Sequence, residues 1–132
     1  MILKSSLQSD YNVTTSYDNI TGLSITIPED GVYHVIGNIT CDNTAAADAQ
    51  VKIKLAIDGT RILASGGDSF TASTRILTIN PINNFVYLKK DQVVTVQAEM
   101  GTSDSCVVYS TGADHATYIE AINLTKLARG GM

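Results

Sequence analysis

The chain has 132 residues, a formal net charge of −4, 44% apolar residues and only 17% charged ones. That size fits one domain with a real core, and the composition excludes a disordered chain. The acidic balance, without any Lys/Arg cluster, excludes a phosphate backbone as partner, and no apolar run approaches the ~18 residues of a membrane span.

The dominant periodicity is two, the signature of strands with one buried and one wet face. The N-terminal "MILKSSLQSDYN" lacks the apolar stretch of a signal peptide, so synthesis in a cytoplasm without export is expected. In "GLSITIP", Leu23, Ile25 and Ile27 alternate with Ser24 and Thr26. "PEDG" (Pro28 to Gly31) reads as a turn, and Val32 to Cys41 as the strand that follows it. Within that strand Tyr33, Val35, Ile39 and Cys41 share one parity and are the expected core set; His34, Ile36 and Asn38 share the other. Ile36 beside His34 is too apolar for a fully wet face, so that side is expected to be partly covered.

Further along, Val51, Ile53, Leu55 and Ile57 alternate with Lys52, Lys54 and Ala56, and Asp58-Gly59 follows as a hairpin turn able to take positive φ. "VVTVQAEM" sets Val94, Val96, Ala98 and Met100 on one side. "TYIEAINLTKL" reads as a last strand, with Ile119 and Ala121 opposite Tyr118, Ile122 and Leu124; the pattern leaves open which face is buried. Polar loops are expected at 42–49, 65–74 and 101–106, and no segment makes a convincing helix. About eight short strands with turns between them indicate an all-β sandwich or barrel.

Chemistry is sparse. His34 lies inside an alternating strand with no companion ligand or oriented base nearby, and His115 has only Asp114 beside it. Glu29 and Asp30 are turn residues whose side chains diverge. Asp58, Asp68, Asp104 and Asp114 fall in expected loops, where Ca²⁺ binding requires oxygens to converge, and the spacing shows no such convergence. Gly66-Gly67 and "RGG" at 129–131 read as loop tips, since no phosphate-cradling glycine motif is present. Cys41 and Cys106 lie outside any CxxC pair and are expected to be reduced and packed, although the sequence leaves their pairing open. No catalytic residue, cofactor or metal is expected.

Several segments carry a resemblance. "IPEDGVYHVIGNIT" resembles the early strand of the C1q/tumour-necrosis-factor-like jelly roll, and "VKIKLAIDGTRILAS" its central hairpin. "VYLKKDQVVTVQA" is similar to its "L-x-x-G-D-x-V" stretch, with Lys90 where the family has Gly; "ATYIEAINLTKL" is similar to its final strand. "NVTTSYDNITGLSITIPEDGVYHV" is also similar to segments of tailed-phage virion proteins. In order, these patches span most of residues 11–127.

The resemblance implies a ten-stranded jelly-roll sandwich that forms a homotrimer and does binding or structural work. It sets expected boundaries of an N-terminal arm (1–10), the sandwich (11–127) and a flexible tail (128–132). With no collagen-like tract and no stalk in the sequence, the expected role is a phage capsid decoration (cement) trimer on the virion surface, bound to the major capsid protein. Ile2, Leu3 and Leu7 are then the arm's expected capsid contacts, and His34, Ile36, Tyr118 and Ile122 the expected trimer contacts. The alternative is a receptor-binding or fibre-tip domain presenting loops 42–49, 65–74 and 101–117 to a host glycan or protein. A sandwich-fold hydrolase is disfavoured because no nucleophile–base pair is visible.

Overall fold

A computed structural model describes residues 2–43, 49–70, 76–100, 106–110 and 116–130. These form eleven strands and one short helix: β1 (Ile2–Ser6), β2 (Tyr11–Asn12), β3 (Asp18–Thr26), β4 (Gly31–Asn43), β5 (Ala49–Ile57), β6 (Arg61–Phe70), β7 (Ile76–Ile79), β8 (Ile82–Leu88), β9 (Val93–Met100), β10 (Cys106–Val108), β11 (Tyr118–Asn123) and α1 (Leu124–Ala128). Every pairing is antiparallel.

Two sheets face each other. One has the order β3-β9-β5-β6. The other is organised by the thirteen-residue β4, which takes β11 and β8 on its two sides in its first half and β10 and β7 in its second. β1 extends this sheet beyond β11, and β2 extends it beyond β10. The pairs β1·β11, β3·β9, β4·β8 and β5·β6 are nested in the sequence, as expected when one long hairpin is wrapped into two layers. That is jelly-roll order.

The core between the layers is built by the alternation seen in the sequence. Leu23, Ile25 and Ile27, then Tyr33, Val35, Ile39 and Cys41, then Val51, Ile53, Leu55 and Ile57, then Val94, Val96, Ala98 and Met100 are all buried. In β11 the inward residues are Ile119 and Ala121, which leaves Tyr118 and Ile122 on the outer face. The Asp58-Gly59 turn has positive φ at both positions (51° and 75°), the type I′ geometry that matches strand twist. At the turn over Lys89–Gln92 the positive φ falls on Asp91 (73°), not on Lys90. Asp30 Oδ1 accepts from the Lys90 N–H at 2.7 Å, which ties this turn to the β3–β4 turn.

Three expectations need correction. Residues 1–10 do not form a separate arm: β1 lies in the sheet, with Ile2 opposite Ile122 and Leu3 opposite Ala121. Leu3 packs on the core, Leu7 is buried in it, and the Leu7 N–H donates to the Thr117 carbonyl at 2.9 Å. Period two holds through Leu3, Ser5 and Leu7, but Ser5 hides it in the sequence. Second, the last strand stops at Asn123. Its side chain caps α1 by accepting from the Lys126 N–H at 2.9 Å, so residues 124–128 are helical and residues 11–127 do not bound the sandwich. Third, residues 65–70 continue β6, and Gly66-Gly67 lies inside the strand where neighbours come close. A Cβ on Gly67 would sit 2.8 Å from the Val51 carbonyl oxygen. Gly31, at the end of the expected turn, also serves packing: a Cβ there would meet Asn123 Oδ1 at 3.0 Å.

Candidate functional site

The outer faces of the two sheets differ in chemistry. On the β3-β9-β5-β6 sheet the outward side chains include Ser24, Thr26, Lys52, Lys54, Gln97 and Glu99, a polar surface that water solvates well. Tyr17 lies against this surface, with Lys54 Nζ 3.6 Å from its ring centroid.

The outer face of the β1-β11-β4-β8 portion is apolar. Strand register sets its rows. Ile2 lies opposite Ile122, and Ile122 opposite His34. In the next row Lys4 faces Glu120, Glu120 faces Ile36, and Ile36 faces Ile82. Ser6, Tyr118 and Asn38 form a third row, and Val32 pairs with Tyr87 beyond His34. All four residues expected as trimer contacts, His34, Ile36, Tyr118 and Ile122, are thus brought onto one face, each half-buried. Ile2, expected in an arm, sits at the edge of the same face, whereas Leu3 and Leu7 point inward.

Sequence reasoning missed the most exposed members. Phe85 is 73% exposed, Ile2 59%, Tyr87 53% and Ile82 52%. A register shift between Tyr33 and Val35 inserts a bulge into β8, so Val86 and Leu88 turn inward while Phe85 and Tyr87 turn out. "INNFVYL" therefore shows no clean alternation, and its one signal is an unusual concentration of large apolar residues beside two Asn. Taking ~200 Å² per aromatic side chain, Phe85 and Tyr87 alone hold about 250 Å² in solvent, and with the isoleucines the patch is on the order of 400 Å². Apolar patches of that size on a monomer are commonly functional. His34, Asn84, Phe85 and Leu124 line a shallow depression of about 270 Å³ within it.

The charges on this face balance. Lys4 Nζ lies 3.9 Å from Glu120 Oε1 and 4.2 Å from the Tyr118 ring centroid. The pair is solvent-exposed enough to contribute little to stability, but it leaves the face formally neutral.

At the end of the sandwich, Asn123 organises a polar junction. Its Nδ2 donates to Tyr33 Oη at 3.1 Å and to Glu29 Oε1 at 3.4 Å, and Tyr33 Oη donates to the Glu29 carbonyl at 2.8 Å. Lys126 Nζ lies 3.3 Å from Glu29 Oε1, and Thr125 Oγ1 accepts from the Val32 N–H at 2.9 Å. Burial pushes the Tyr33 hydroxyl above its ordinary pKa, aided by the nearby Glu29 and Asp30 charges and partly opposed by the Asn123 hydrogen bond. The junction locks α1 and the β3–β4 turn to the sheet, and its donors and acceptors are used internally.

Cys41 and Cys106 are both buried, on paired strands, with Cys41 opposite Val108 and Cys106 opposite Asn43. The hydrogen bond that the Cys41 thiol makes to Cys106, together with burial, pushes that thiol well above its ordinary pKa, which makes it unreactive. Asp58 accepts from the Val93 N–H at 2.9 Å and Asp68 from the Ser69 N–H at 2.8 Å. His115, Asp104 and Asp114 lie outside the described residues. Among the described residues no three His, Cys, Asp or Glu side chains gather as metal ligands, and no helix is long and apolar enough to cross a membrane.

Comparison with known proteins bears on fold alone. No family model matches the chain, and no curated protein matches it. Among solved structures the chain is similar to rabbit GITRL, a TNF-family ligand, at 14% identity over 83% of this chain and 78% of that one, with a TM-score of 0.44. The fold assignment rests on the strand pairing of this chain itself, two antiparallel sheets in jelly-roll order.

Proposed function

We propose that the protein is a non-enzymatic structural module that forms a homotrimer through the outer face of β1, β11, β4 and β8, and that the trimer decorates a virion capsid. The observation that carries the first step is the contrast between the two sheets: one outer face is polar, the other holds an exposed apolar stripe from Ile2 to Phe85 and Tyr87. Covering such a stripe removes apolar surface from water at roughly 25 cal/mol per Å². A second copy suits it because the Lys4–Glu120 pair leaves the face neutral, so identical copies meet without net repulsion. Three copies in a closed ring, each giving one part of the face to each neighbour, satisfy every stripe without an open-ended fibre.

The second step draws on the resemblance of residues 12–35 to tailed-phage virion segments. With the apolar face occupied by assembly, the polar outer sheet and the loop ends remain to dock on the major capsid protein. Such a trimer stabilises the shell by mass action, binding the assembled lattice and not its free subunits. The reading needs no catalytic residue, cofactor, nucleic acid or membrane.

Electron microscopy of virions labelled with antibody against this chain tests the role. Label spread over the capsid lattice is the expected result. Label confined to tail or fibre tips would favour the receptor-binding alternative and end the decoration reading.

A further inference from the structure

We propose that His34 makes assembly proton-sensitive: the neutral imidazole lets a second copy cover the sheet face, and the imidazolium opposes it. This inference rests on the proposed self-association through that face and names its regulation. Among the described residues His34 is the one histidine, and it sits at the centre of the face, with Ile122 across on β11, Phe85 and Asn84 beside it on β8, and Leu124 at the start of α1. Its own strand presents Val32, Ile36 and Asn38 on the same side, none of them charged.

The neighbouring elements offer almost no compensation. From β11 the facing ionisable groups are Glu120, one row away opposite Ile36, and Tyr118. From β1 there is Lys4, which lies 3.9 Å from Glu120 and holds that carboxylate's charge. From β8 the only ionisable group is Tyr87, and from α1 the residue lining the depression is the apolar Leu124. A proton gained by His34 therefore adds an unpaired charge to an apolar surface that assembly takes out of water, which is costly. Imidazole is the side chain that changes charge between roughly pH 5 and 8. Three copies carry three such groups, so up to three protons are linked to dissociation, and the assembly constant falls by as much as about a thousandfold per pH unit once the imidazole charges.

The test is sedimentation of the full chain at about pH 8 and about pH 5.5 in physiological salt. Both values lie above the pI of ≈ 4.9, where solubility is lowest. Circular dichroism of the same samples reports the fold. The expected result is a trimer at the higher pH, a shift of roughly thirtyfold in the dissociation midpoint at the lower pH, and an unchanged β spectrum. His34→Phe and, as a second neutral replacement, His34→Gln are expected to leave assembly insensitive over that range. Equal assembly of the unmodified protein at both pH values would overturn the proposal while leaving the trimer standing. So would a pH response that survives in both variants, or loss of the β spectrum at the lower pH. A monomer at both pH values would instead overturn the assembly reading on which it depends.

Discussion

Replacing Leu7 by Ala tests whether the first strand belongs to the fold. Leu7 is 2% exposed, joins the main core cluster, and its N–H is fixed to the Thr117 carbonyl at 2.9 Å. Burying a leucine removes about 2–3 kcal/mol worth of apolar surface from water, and the cavity left by truncation adds to the loss. Buried Leu→Ala changes cost about 2–5 kcal/mol, and Leu7, near the end of the sheet where neighbours can relax, is placed at about 3 kcal/mol. For a domain of this length that is a fall of roughly 10 °C in Tm. Ile2→Ala, five residues away but 59% exposed, is expected to change protomer stability by no more than about 0.5 kcal/mol. Urea unfolding at one fixed protein concentration, with m unchanged between variants, reads both numbers. A Leu7→Ala loss below about 1 kcal/mol would refute the placement of residues 2–7 in the sandwich.

Phe85→Glu is expected to abolish assembly and spare the fold. Phe85 holds about 150 Å² of apolar surface in solvent, so covering even half of it contributes about 2 kcal/mol per copy, or on the order of 10⁴ in the trimer constant. A variant that sediments as the parent does would place the contact elsewhere. Gly67→Ala is expected to cost about 1–3 kcal/mol, because the new methyl would press on the Val51 carbonyl at 2.8 Å; thermal melting checks it. In alkali the sign follows from the raised Tyr33 pKa. The unfolded chain ionises this hydroxyl near pH 10 while the folded chain resists, so its contribution is intact below about pH 10 and is lost as pH rises above it. Tyr11 and Tyr17 are raised in the same direction, both chiefly by burial. Tyr33→Phe should flatten the fall in urea midpoint above pH 10, and an equal slope in the variant would rule Tyr33 out as a source.

Much of the fold could be read from alternation, because half-buried antiparallel strands write their burial into every second residue. β4 shows this well: Tyr33, Val35, Ile39 and Cys41 went inward and His34 and Ile36 outward, as their parity required. The hairpin at Asp58-Gly59 followed from the backbone freedom of those two residues. What escaped reading depends on contacts distant in sequence. β1 is a strand because β11 lies beside it, and Ser5 at an inward position breaks its apolar pattern. Gly66 and Gly67 read as a loop until the Val51 and Ile79 neighbours are seen pressing on them. α1 follows a strand directly, and only the Asn123 cap marks the change.

The candidate face was half visible for the same reason. His34, Ile36, Tyr118 and Ile122 lie on cleanly alternating strands, so parity paired His34 with Ile36 and Tyr118 with Ile122, and the register of β11 on β4 brings the two pairs onto one face. Phe85 and Tyr87 sit beyond a bulge that reverses the parity of β8, and no periodicity reports a bulge. His34, Cys41 and Glu29, near one another in the sequence, separate in space, while the Tyr33 hydroxyl stays with Glu29 and donates to its carbonyl at 2.8 Å. Cys41 and Tyr33 face the core, Glu29 lies in the end junction, and His34 lies on the outer face.

The central claim is that the apolar face is covered by copies of the same chain, and the mass of the unmodified protein in solution tests it most directly. Sedimentation equilibrium near neutral pH, across a micromolar dilution series, is predicted to give three times the 14.1 kDa chain mass, about 42 kDa. A single species of 14.1 kDa throughout that series would contradict it.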